Sequence, residues 1–173
     1  KIKSAPYLNG QTLIEALSRP NRRLRESVFE LLETLDIKDL DLIRFTRQNL
    51  ERAYTCLAKI ACLEKLPESN EKELLTEHLH QKKNLLLENT LRVLTIHYKD
   101  SRMRTVLRGL FSSNSRRRAN SIEVLSDIMD KKLFNMFAPL LEGDPLTRTL
   151  AAGKKFFKLP PFESDRKQLF AAL

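Results

Sequence analysis

One pattern recurs along this chain: an apolar stripe at helical spacing, a short polar turn, then another stripe. Each such segment has one inward face and needs a neighbour to cover it, so the pattern demands helix packed on helix. Strand signals are nearly absent. The only glycines are Gly10, Gly109, Gly143 and Gly153. That scarcity excludes phosphate-cradling loops, hairpin-rich β folds and Rossmann units, all of which place glycine at unusual backbone angles. An all-α fold follows.

The spacing predicts a short helix over Thr12 to Leu17, then one capped by Asn21 with Leu24, Val28, Leu31 and Leu35 inward. A long helix runs from Asp39 or Asp41 toward Leu63, with a break near Gln48-Asn49. The next spans about Glu71 to Tyr98. Asp100 or Ser101 caps a helix that turns Met103, Val106, Leu107 and Leu110 inward. Asn114 or Ser115 caps another, with Ala119, Ile122, Leu125 and Met129 inward. Leu133 to Leu141, Leu146 to Phe157 and Ser164 to Leu173 complete the series.

An internal repeat sharpens this. "NRRLRESVFELLETLD" from Asn21 lies over "SRRRANSIEVLSDIMD" from Ser115, with Arg22 on Arg116, Arg23 on Arg117, Ser27 on Ser121, Leu31 on Leu125 and Asp36 on Asp130. The offset is 94 residues, two units of about 47, a length used by HEAT and armadillo repeats. The expected architecture is one domain over residues 1–173, an α-solenoid of stacked antiparallel helical hairpins with a right-handed superhelix.

The net charge is +9 and the pI near 9.7. Such a balance favours anionic partners: nucleic acid, an acidic protein face or anionic lipid. Cys56 and Cys62 are the only thiols. Six residues apart on one helix they are separated by roughly 9 Å of rise, too far for a disulfide, so reduced packing residues in a cytosolic compartment are expected. No apolar run reaches the roughly 18 residues that span a bilayer. The chain opens at Lys1 rather than methionine, and is expected to be part of something longer.

"RRRANSIEVLSDIMDKKLFNMFAPLLEGD" resembles a motif of the HEAT-like repeat domain appended to bacterial ATP/ADP translocase-like membrane proteins. Arg118, Ala119, Asn120, Glu123, Leu125, Asp127, Pro139, Leu140, Leu141 and Glu142 stand at its places. "ENTLRVLTIHYKDSRMRTVLRGLFSSN" and "LNGQTLIEAL" extend the likeness over most of the chain. It implies a packing domain on the cytoplasmic side, tethered to the inner membrane through chain outside this sequence. No nucleotide-binding residues carry over.

Arginines supply the candidate site. Arg22 and Arg23 have Glu26 at ion-pairing helical spacing. Arg116, Arg117 and Arg118 have no such carboxylate, and Arg102, Arg104 and Arg108 precede them with no acid between Ser101 and Arg118. Folded as a hairpin, this segment is expected to line one edge with six uncompensated guanidinium groups. The edge is either a solvated rim, paired in part with acids from neighbouring repeats, or a receptor for an anion or acidic partner.

"GKKFFKLPPF" at Gly153 to Phe162 interleaves lysines with phenylalanines. It is expected to cover the end of the stack with Phe156 and Phe157, with membrane contact as the alternative. His78 and His80 are two apart and point away from each other on a helix, so they do not share a metal. No GxSxG, HExxH, CxxC or Walker pattern occurs, so neither catalysis nor a cofactor is expected.

The functional expectation is a non-catalytic scaffold that binds a protein partner, the attached membrane domain or an anionic lipid surface. The alternative is a basic HEAT-like nucleic-acid binder or DNA-glycosylase-like enzyme. It ranks lower because the chain has no tryptophan, three tyrosines and no acid in its most basic stretch.

Overall fold

The structure, a computed structural model, describes residues 10–17, 21–34, 41–98 and 100–159. These residues form eight helices and no strand: α1 (Gly10–Ala16), α2 (Arg22–Thr34), α3 (Leu42–Leu63), α4 (Asn70–Tyr98), α5 (Ser101–Leu110), α6 (Ser115–Ile128), α7 (Lys131–Leu141) and α8 (Leu146–Gly153). The expected helix from Ser164 lies outside the described residues.

Local capping sets the starts. A helix leaves its first N–H groups without partners, and short polar side chains supply acceptors. Asn21 accepts from the Leu24 N–H at 3.2 Å, Asp41 from Arg44 at 2.9 Å and Ser69 from Lys72 at 3.2 Å. Asp100 accepts from Arg102 at 2.8 Å and Asn114 from Arg117 at 3.0 Å. Asp130 takes two, from Lys132 at 2.9 Å and Leu133 at 3.2 Å. The α7 end turns at Gly143, whose φ of 74° suits a residue without Cβ.

Two expectations change. α3 is unbroken at Gln48-Asn49, because Asn49 faces inward and its amide donates to Thr90 Oγ1 of α4 at 3.0 Å. The polar pair that reads as a break is a crosslink. On α2 the buried residues are Val28, Phe29 and Leu32, while Leu24 and Leu31 are 36% and 37% exposed. Phe29 takes their place in the apolar cluster with Leu13, Ile14 and Leu17, and the Arg92 guanidinium of α4 lies over its ring, 3.8 Å from the centroid. Leu35 lies outside the described residues.

Consecutive helices pack as hairpins: α1 with α2, α3 with α4, α5 with α6, α7 with α8. The matching copies in α2 and α6 are each the second helix of a hairpin. α2–α4, α4–α5 and α6–α7 contacts join the hairpins. A further set departs from strict neighbour-on-neighbour stacking, since α7 and α8 both pack on α3.

Tyr54 of α3 is the seat. It is fully buried, donates its hydroxyl to the Met136 carbonyl of α7 at 3.1 Å, and meets the Phe157 ring at 5.6 Å. Gly153 of α8 lies so close to this ring that a Cβ would overlap it. The core has two apolar clusters. One joins Leu13, Ile14 and Leu17 to Val28, Phe29, Leu32, Leu42, Phe45 and Val93. The other gathers α3 from Leu50 onward with α4 to α7 and Phe157. Helices α3 and α4 contribute to both.

Cys56 and Cys62 are free and buried, and burial pushes the Cys56 thiol up. No described helix is long and apolar enough to cross a membrane.

Candidate interaction surface

The arginine-rich segment forms the α5–α6 hairpin. Met103, Val106 and Leu110 bury one stripe of α5. Gly109 faces α6, where an added Cβ would overlap Ser121 Oγ. This close approach brings the two helices together. At about 100° per residue, Arg104, Arg108 and Phe111 fall on one stripe at i, i+4 and i+7, turned away from the α6 side. Two residues apart from Arg104, Arg102 lies on the opposite flank.

The structure therefore divides the six arginines. Arg102 is compensated: its Nε and Nη2 donate to the Asp100 carboxylate at 3.2 and 2.9 Å. Asp100 stands just before the acid-free stretch, and the Arg102 guanidinium holds its carboxyl below the usual range. Arg118 is also occupied. Its Nη1 donates to the carbonyls of Ser112 at 2.7 Å and Ser113 at 3.1 Å, bracing the turn between the helices. Of the six, Arg104, Arg108, Arg116 and Arg117 are exposed with no side-chain hydrogen bond or ion pair among the described residues. The uncompensated set is four, not six.

The contrast with the first copy also shifts. Glu26 gives its carboxylate to Arg92, at 2.9 and 3.0 Å, rather than forming hydrogen bonds with Arg22 or Arg23. Arg92 chiefly lowers the Glu26 pKa, with Arg22 and Arg25 adding smaller pulls. One long-range partner, Arg92, bonded at both carboxylate oxygens, thus takes the place of the expected local pairs.

A groove of about 400 Å³ opens between α6 and α7. Its lining brings together Arg118, Ala119, Glu123, Leu141 and Glu142, five of the residues that carry the family resemblance. Ala119, expected inside, is exposed at this groove; Ser121 is buried instead, against Gly109.

Phe111 is the residue that the arginine pattern alone misses. It is 43% exposed while Leu110 beside it is 6%. Its register with Arg104 and Arg108, off the Met103 stripe, is the signal in the sequence. The other basic-aromatic stretch behaves differently: Phe157 is buried on Tyr54 and Phe156 packs against the same core, while Lys154, Lys155 and Lys158 are exposed. Among the described residues no group of three or more His, Cys, Asp or Glu side chains is placed to hold a metal.

Comparison with known protein families, curated proteins and solved structures finds no match.

Proposed function

We propose that this chain is a non-catalytic interaction module whose α5–α6 edge receives an acidic protein face or another anionic surface. The observation that carries the proposal is the acid-free segment 101–118 holding four exposed arginines, Arg104, Arg108, Arg116 and Arg117, with no side-chain partner among the described residues. Like charges at i, i+4 cost helix stability, and so do cations at a helix N-terminus. An anion relieves both.

The proposal extends to context through the resemblance. It reads the hairpins as HEAT-like repeats in a right-handed superhelix, on the cytoplasmic side of a translocase-like membrane protein that tethers them to the inner membrane. Hairpin order and the α2/α6 repeat support the stacking; the seat of α7 and α8 on α3 marks where it departs from an open row.

The test replaces all four arginines with Gln and measures binding to poly-glutamate and to phosphatidylserine vesicles at low salt. At roughly fivefold per arginine near an anionic surface, binding falls by a factor of about 100 or more. Unchanged binding to both rejects the proposal. A duplex DNA titration over salt separates the alternative, since low-micromolar binding with a steep salt slope marks a nucleic-acid binder.

A further inference from the structure

The sequence offers two places where aromatic and basic residues interleave, and the fold treats them oppositely. At residues 153–159 the aromatic rings serve the core. At the α5–α6 turn the ring is left exposed, in a segment whose Arg104, Arg108, Arg116 and Arg117 are exposed as well. Phe111 is the C-cap of α5, one turn after Arg108 and two after Arg104, with Arg116 and Arg117 opening the next helix.

The turn is held in shape. The Asn114 side chain accepts from the Arg117 N–H at 3.0 Å, Ser112 Oγ accepts from the Asn114 N–H at 3.2 Å, and Arg118 grips two turn carbonyls. A preorganised turn presents Phe111 without an ordering cost at the moment of binding.

We infer that this turn is a lipid-contact point, where Phe111 enters the headgroup layer of an anionic bilayer and Arg104, Arg108, Arg116 and Arg117 meet the lipid phosphates. The inference rests on the basic-edge reading above and names its partner. A bilayer surface uses both chemistries together, an apolar group below the phosphates and cations at their level. An acidic peptide satisfies the arginines and leaves Phe111 unused. Single-stranded nucleic acid stacks successive bases on several aromatic faces, and residues 101–118 contain one. The segment is also all arginine and no lysine, and the planar guanidinium fork suits phosphate oxygens bidentately. Leu74 is more exposed, at 70%, but sits among Glu71, Glu73 and Glu77, which an anionic surface repels.

The experiment measures partition of the 1–173 chain onto vesicles of phosphatidylcholine alone and with phosphatidylserine, beside titrations with poly-glutamate and oligo-dT. Phe111→Ser, at an exposed position, keeps the fold, which a thermal melt confirms. It is expected to lower partition onto the phosphatidylserine vesicles about tenfold and to leave poly-glutamate binding unchanged. The four-arginine Gln variant is expected to lose both. Undiminished vesicle partition of Phe111→Ser, with binding still lost in the Gln variant, overturns the lipid contact and leaves the basic edge standing. Full binding by the Gln variant overturns both. Tighter binding to oligo-dT than to the anionic vesicles overturns the lipid assignment in favour of nucleic acid.

Discussion

Gly153→Ala tests the seat of α8 on α3. In a solvated helix this change stabilises by about 1 kcal/mol, because glycine loses more backbone freedom on folding. Here the new methyl overlaps the Tyr54 ring. That ring has nowhere to go: it is fully buried, tied through its hydroxyl to the Met136 carbonyl and flanked by Phe157. Overpacking costs about 1–3 kcal/mol, and displacing the hydroxyl gives up a further 0.5–1.5 or so. The net is a loss of about 2 kcal/mol, seen in calorimetry as a fall in Tm of about 4–8 °C. In a Tyr54→Ala background the overlapping ring atoms are gone and the same change becomes neutral or stabilising, a coupling on the order of 2 kcal/mol in a double-mutant cycle. A higher Tm for Gly153→Ala in the unaltered chain would mean that α8 does not rest on Tyr54, and the folded-back arrangement would fail with it.

Asp130 caps α7 through two N–H groups, so Asp130→Ala is expected to cost about 1–2 kcal/mol in urea unfolding; an unshifted midpoint refutes the cap. Glu26 has its pKa lowered in the fold by the Arg92 guanidinium. A carboxylate depressed in the native state stabilises above its unfolded pKa, and that contribution is lost as pH falls through the folded value. Glu26→Gln is therefore expected to cost under about 1 kcal/mol at pH 7, its side chain being 48% exposed. The difference should vanish in acid below the usual carboxylate range, and a pH-independent difference contradicts the pairing. Arg92→Ala should cost more, since it also strips the cover from Phe29.

Helix starts were legible because a cap is a local interaction: Asn21, Asp41, Asp100 and Asn114 each bond within three residues. α7 starts two residues before the expected Leu133, because Asp130 caps it there. Faces were less so. Phe29 turns inward onto residues of α1, α3 and α4, with Arg92 over its ring 63 residues away, and nothing within α2 announces those neighbours. Asn49 reads as a helix breaker until Thr90 is placed opposite. The basic edge was visible as a charge pattern, but its membership was not. Arg118 is taken up by backbone carbonyls, acceptors that every residue carries and no side-chain spacing reveals. Arg102 is removed by Asp100, which stands one residue before the acid-free run. Phe111 carries no charge, so the charge pattern does not include it.

Helix α3 runs without interruption for 22 residues, roughly 33 Å. Near its start it holds Leu42 and Phe45 in the first apolar cluster; farther along, Tyr54 carries the weight of α7 and α8. One continuous helix thus takes part in both assemblies. A substitution that unseats α8 from Tyr54 therefore strains the same helix that lines the other cluster, and the two clusters are expected to melt together rather than as beads on a string.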